Sequence, residues 1–339
     1  YNPMFNRNQL ALQASGLYGE DDTWAGEGIV SGIYDKLSLS AGYSHFETDG
    51  YRKNNDQEDK LGNIFVQGEL TYKTSIQGEY RNRDTQNGDL ALRYFEDDFS
   101  ENFKEDEDTE SMRLGIRHAF TPGSILLGNF SYQDSDLKQK DSPDPAITFD
   151  RKLPSDAYSG EAQYLYRSDK FKMVTGGGYF DIDAEDKVTV NIATGLPSPP
   201  FPATITQKEK LDRDLDHTNL YAYTYLDLLK NMTFTLGASG DFFNGDSDDI
   251  SDEEQFNPKF GIKWNPLENT TIRAAGFRVL KRTLITDQTL EPTQVAGFNQ
   301  FFDDVNGTDA WRYGAAIDQR FLKTLFGGVE YSTRDMDVP

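Results

Sequence analysis

Cysteine is absent, so no disulfide, thiolate metal site or cysteine nucleophile is available, and the groups to weigh are carboxylates, three histidines and aromatic side chains. The longest acidic cluster is Asp246, Asp248, Asp249 and Asp252, continued by Glu253 and Glu254. Carboxylate oxygens at such spacing suit Ca²⁺, but the sixth-position glycine and the spaced glutamate of an EF-hand loop are missing. The cluster is a weak Ca²⁺ candidate and is read as a solvated acidic loop, with no specific metal site. Glu101, Glu105, Asp106, Glu107, Asp108 and Glu110 read the same way. His45, His118 and His217 lie far apart with no paired spacing, so neither zinc nor haem ligation is expected. There is no Gly-x-Ser-x-Gly elbow and no phosphate-cradling glycine loop. Without a nucleophile constellation the chain is not expected to be an enzyme, and no cofactor is expected.

The aromatic residues are more telling. The segment 282–308 combines the turn Leu290-Glu291-Pro292-Thr293 with Phe298, Phe301 and Phe302. A loop that exposes three phenylalanines is costly unless it folds inward or meets a partner, which makes Leu290, Glu291, Pro292, Phe298, Phe301 and Phe302 the candidate ligand or partner loop.

The elements that would position such a loop follow from composition. Hydrophobic residues make up 36% of the 339 residues and the net charge is -23, yet aromatic residues reach 13%, which disordered chains do not. The apolar side chains are dispersed. No run approaches the roughly 18 consecutive apolar residues of a membrane helix. The excess of acid argues against a nucleic-acid partner, since phosphate neutralisation needs clustered Lys and Arg.

Dispersed apolar residues alternate instead. In Met232 to Phe243, Met232, Phe234, Leu236, Ala238 and Phe242 fall on one face, and Thr233, Thr235, Ser239 and Asp241 on the other. Ser111 to Phe120 and Tyr158 to Arg167 repeat the pattern. Segments of about ten alternating residues are the length that a tilted membrane strand requires, so one face suits lipid and the other water. About fifteen such segments are visible. Short turns, such as Asp35-Lys36, Tyr72-Lys73 and Thr121-Pro122-Gly123, alternate with long polar loops at 49–60, 84–109, 135–156, 182–216, 244–256 and 282–308. Asp89 to Glu96 reads as a hairpin-like excursion inside the second of these loops.

The fold class read from this is all-β, a transmembrane antiparallel β-barrel of about 15 visible strands in the bacterial outer membrane, with its long loops extracellular. Single-chain bacterial barrels normally have an even strand count, so 16 or more strands (up to 22) are expected in the complete protein, and the sequence 1–339 is read as one barrel domain, a fragment lacking an N-terminal plug or repeat domain and the last strands. The wet register places Arg113, Arg117, Glu161, Arg167, Asp241, Lys259, Lys263, Arg273, Arg312, Asp318, Arg320 and Glu330 on the lumen side, where they line a channel, grip a plug or stiffen the wall. Surrounding lipid and lipopolysaccharide are the expected partners of the other face.

Asn6 to Gln13, Arg113 to His118 and Leu290 to Asp304, followed by a strand like Trp311 to Arg320, resemble the barrels of TonB-dependent receptors. They are more similar still to the receptor-like barrels that follow tetratricopeptide repeats in some Gram-negative outer-membrane proteins. That resemblance implies a transporter or receptor passing a solute too large for simple diffusion, and, as partners, a plug domain, a TonB-type energiser or an upstream repeat domain. The alternative is a secretion conduit or structural sleeve around another polypeptide or polymer.

Overall fold

The computed structural model describes residues 8–92, 95, 98–195, 203–245, 253–282 and 284–339. The first half of the chain forms β1 (Gln9–Tyr18), β2 (Trp24–Tyr34), β3 (Leu37–Thr48), β4 (Gln57–Thr71), β5 (Thr74–Asn87), β6 (Lys104–Thr121), β7 (Ser124–Asp144), β8 (Ile147–Arg167) and β9 (Phe171–Ala193). The second half forms β10 (Thr204–Leu229), β11 (Met232–Gly245), β12 (Glu253–Leu267), β13 (Thr270–Leu280), the two-residue strands β14 (Gln294–Val295) and β15 (Phe298–Asn299), β16 (Asp309–Arg320) and β17 (Phe326–Asp337). All but β14 and β15 pair in chain order into one 15-stranded sheet. Every expected short turn falls between consecutive strands. Among the described residues no helix is long and apolar enough to cross a membrane.

The side-chain alternation is that of the sequence. On β11 and β12, Leu236, Phe242, Phe256 and Phe260 are exposed while Thr235, Ser239, Asp241, Gln255, Asn257 and Lys259 are buried on the opposite face. On β8, Ser159, Glu161 and Gln163 are buried and Tyr158 and Tyr166 exposed. Exposed leucines and buried lysine invert the order of a water-soluble core. They fit a sheet whose outer face meets hydrocarbon, where strands paired on both sides satisfy their own backbone groups. Leu236→Arg should therefore block assembly, because a lipid-facing Arg near the bilayer midplane costs roughly 2 to 4 kcal/mol. Ser44→Arg, which points the other way beside Glu27 and Asp59, should assemble normally. Equal yields of the heat-resistant folded form in detergent would reject the assignment of faces. Thr235, equally wet by its register, is a poor control because it is 3% exposed and pairs with Gly261.

The long loops need correcting. Residues 135–156 and 182–216 are not loops for most of their length: β7 and β8 run to a tight turn at residues 145–146, and β9 and β10 extend to Ala193 and from Thr204. Beyond the apolar band both faces meet water, so the period-two signal vanishes although the ladder continues. Cross-strand ion pairs take its place. Arg151 donates to both oxygens of Asp186 at 2.9 and 2.6 Å, and this guanidinium holds the Asp186 carboxyl below its usual range. Of the excursion expected at 89–96, Asp89 to Leu92 carry no strand, and Arg93, Tyr94 and Glu96, like the following Asp97, lie outside the described residues. Asp246, Asp248, Asp249 and Asp252 also lie outside them.

The chain divides into two compact units. One comprises Tyr1–Leu114, Ser131–Tyr158 and Ile182–Asp214, the other Gly115–Phe130, Ser159–Asp181 and Leu215–Pro339. The second contains the inward loop and its wall.

Candidate functional site

Between β13 and β16 the chain turns back onto the wet face of its own sheet. A 3₁₀ turn at Ile285–Asp287 leads to the small hairpin β14–β15. The hairpin tip is Ala296-Gly297, both at positive φ (48° and 88°), as a two-residue turn of this hand requires. The tip can approach because the wall has glycines beneath it. A Cβ on Gly261 of β12 would stand 2.8 Å from the Ala296 Cβ, and one on Gly314 of β16 would stand 2.4 Å from the Phe298 ring. Val295 and Phe298 are 0% and 1% exposed and pack with Tyr221, Tyr223, Phe277 and Ala316 from three wall strands.

Polar contacts fix the loop's register. Glu291, 4% exposed, accepts from Tyr223 Oη at 2.6 Å, Asn219 Nδ2 at 2.9 Å and Arg282 Nη2 at 2.8 Å. Glu161 on β8 accepts from the Leu290 amide at 2.8 Å and from the Thr289 hydroxyl. Gln163 donates to the Leu290 carbonyl, and Gln300 donates to the Pro292 carbonyl and to Tyr223 Oη. Glu291 is therefore not an orphaned carboxylate, which would cost several kcal/mol at this depth.

Beside it lies a second buried group. His217 is stacked between Phe180 and Phe243, with centroids 5.4 and 4.3 Å away, and its Nε2 is 3.0 Å from Asp241. Asp241 also accepts from Asn257 at 2.7 Å, while Lys259 Nζ reaches the Arg278 carbonyl at 3.3 Å. Arg282 closes the set, with its guanidinium over Phe180 (5.1 Å) and Phe301 (5.5 Å).

The remaining aromatics alternate with arginines. Phe298 lies between Arg273 (5.1 Å) and Arg312 (5.7 Å), and Phe302 between Arg312 (4.9 Å) and Arg334 (4.0 Å), which also pairs with Asp304. A cation over a ring face is worth about 0.5 to 2 kcal/mol depending on desolvation, so the ladder adds to apolar burial in holding the loop.

Glu161, Asp241, Lys259, Arg273, Arg312, Asp318 and Glu330 of the lumen set thus gather in this unit, with Arg273 bonded to Asp318 at 2.8 Å and Arg312 near Glu330 at 3.4 Å. Lys263 and Arg167 are exposed, and Arg320 donates to Asn269 at 3.0 Å near a short turn. Arg117 is half-buried on the wet register, and Arg113, in the other unit, pairs with Glu79. Of the loop set, Leu290, Glu291, Pro292, Phe298, Phe301 and Phe302 all meet the wall or flank it. Missed by sequence reasoning were Asn219, Tyr223, His217, Gln163 and Arg282. Tyr221 and Tyr223 on a wet register were the available signal, since an aromatic side chain there needs something to cover it.

Solved structures share this architecture. The alcaligin outer-membrane receptor FauA of Bordetella pertussis superposes with a TM-score of 0.67 at 13% identity, over 99% of this chain and 53% of that one. The ferric yersiniabactin uptake receptor FyuA of Yersinia pestis gives 0.69 at 12% identity (98% and 55%), and the copper transporter OprC 0.70 at 12% (94% and 52%). The chain has the fold of an outer-membrane receptor barrel. It spans about half the length of these barrel structures. No protein-family model and no curated protein sequence matches it.

Proposed function

We propose that the chain is the wall of an outer-membrane transporter or receptor, with segment 282–308 narrowing its lumen and contacting the passing solute or partner. The observation that carries this reading is the loop itself. It lies against the wet face, buries Glu291, Val295, Phe298 and Gln300 there, and leaves Val305 exposed (62%). A loop needed only to join two neighbouring strands does not require 27 residues. Siderophore and copper transport by the structural relatives supports the class of function. In this reading the long-loop side faces outward, the outer face meets lipid and lipopolysaccharide, and a plug or repeat domain and a TonB-type energiser are the working partners.

The test is deletion of residues 296–303 in the intact protein, with deletion of 246–253 as comparison. The first should raise single-channel conductance in planar bilayers and lower solute uptake or partner binding, without reducing the heat-resistant folded form. The second should change little. Unchanged conductance together with unchanged binding, or loss of the folded form, would make the loop structural.

A further inference from the structure

The first compact unit holds a group that the transport reading does not use. His45 and Glu47 stand two residues apart on β3, so their side chains share one face, and Glu58 of β4 is the direct cross-strand partner of Glu47. One imidazole nitrogen and two carboxylate oxygens from these residues lie within 4.8 Å of one another. They sit on the outward face, in register with the exposed Leu39, Tyr43, Ile64 and Val66, at the end of the strands away from the short Asp35-Lys36 turn.

Two features of this placement call for a cation. Like charges directly opposite on adjacent strands repel, and Glu47 and Glu58 are such a pair. Glu58 is also partly shielded from water, its side chain 26% exposed. The protein's own compensation is partial: Trp24 Nε1 donates to Glu47 at 3.0 Å, while Lys60 Nζ stands 2.7 Å from Glu58. His45 Nε2 is 2.8 Å from the same Glu58 oxygen, and Trp24 packs edge-on against the imidazole with centroids 4.5 Å apart, holding the ring in place.

The geometry points to a divalent transition-metal site formed by His45, Glu47 and Glu58, with Zn²⁺ as its best-matched ion. One imidazole and two carboxylates with an open fourth position are a common zinc donor set. Bond lengths of about 2.0 to 2.2 Å put neighbouring ligand atoms roughly 3.3 Å apart, inside the span these atoms already occupy. Binding needs two local changes. The imidazole presents the Nε2 lone pair by carrying its proton on Nδ1, and Lys60 swings out to water. The ion then neutralises both carboxylates and ties β3 to β4. Lys60 is a competitor for the site.

Zn²⁺ titrated into the detergent-folded intact protein should show one site by calorimetry. His45→Ala and Glu58→Gln should each weaken it tenfold or more, while Lys60→Ala should tighten it several-fold. Co²⁺ should give the intense visible bands of a four-coordinate ion in the wild type and lose them in His45→Ala. A wild-type isotherm that His45→Ala leaves unchanged assigns the binding to other acids and overturns the proposal, as does absence of binding. Folded yield of each variant, read from its heat-resistant form, separates lost ligation from lost structure. Lys60→Ala gives a gain that misfolding cannot mimic.

Discussion

Glu291→Ala should free segment 282–308 from the wall without dissolving the sheet. Its carboxylate receives three donors, from Tyr223, Asn219 and Arg282, and Arg282 is itself 2% exposed. Removing the acid leaves that guanidinium with Asp241, at 4.0 Å, as its ion-pair partner among the described residues. Breaking a buried pair from one side costs about 3 to 5 kcal/mol, more than the ring contacts of Phe301 return. The cheapest escape is for the loop to lift and hydrate Arg282. Limited proteolysis should then cut within 284–308 at low protease concentrations that spare the wild type, while the folded form keeps its heat resistance. Glu291→Gln, which keeps the shape and can still accept from Tyr223 and Asn219, should fall between the two. Wild-type protease resistance in Glu291→Ala would show that the loop is held elsewhere.

Gly314→Leu attacks the same seat from the other side and should have the larger effect on the hairpin. The added Cβ would stand 2.4 to 3.0 Å from three atoms of the Phe298 ring. β16 cannot retreat, being paired along its length to β13 and β17, and the ring is boxed in by Arg273 and Arg312. Phe298 must leave, and Val295, its partner across the hairpin, loses its cover. Re-exposing two such side chains costs about 3 to 6 kcal/mol at 1.5 to 3 kcal/mol each. Amide exchange at Val295 and Phe298 should accelerate by two orders of magnitude or more. Gly28, with nothing within 4 Å of its would-be Cβ, is the control: Gly28→Ala should leave exchange unchanged. Equal protection in Gly314→Leu would mean that the seat is softer than its geometry.

These two residues also mark how far sequence carries. The strands were legible because lipid on one side and water on the other impose a period of two, so Leu236 and Asp241 declare their faces unaided. The tall ends of β7 to β10 were not, because a strand wet on both faces has no such contrast. The loop was legible as an anomaly through Phe298, Phe301 and Phe302. Its seat was not, since the contact from Glu161 to the Leu290 amide joins residues 129 positions apart. Gly261 and Gly314 had left a trace: glycine inside a strand weakens it unless something approaches closely there. The cross-strand pair Glu47 and Glu58 was hidden until register fixed which residues face each other.

β10 runs 26 residues, while a tilted bilayer crossing takes roughly 9 to 11. Some 15 residues exceed that crossing, about 50 Å of strand at 3.3 Å per residue. Its Glu209, Asp212, Asp214 and Asp216 are interleaved with Lys208, Lys210 and Arg213, so this upper segment is densely charged and nearly neutral. In the transporter proposed above, an arriving solute meets these paired charges before the inward loop. At physiological ionic strength the field of such mixed charges fades over about 8 Å, so they act at contact range and keep the ladder hydrated on both faces. The height of the strands is thus held by cross-strand charge pairs such as Lys210 with Glu185 at 3.0 Å, where lipid no longer favours one face.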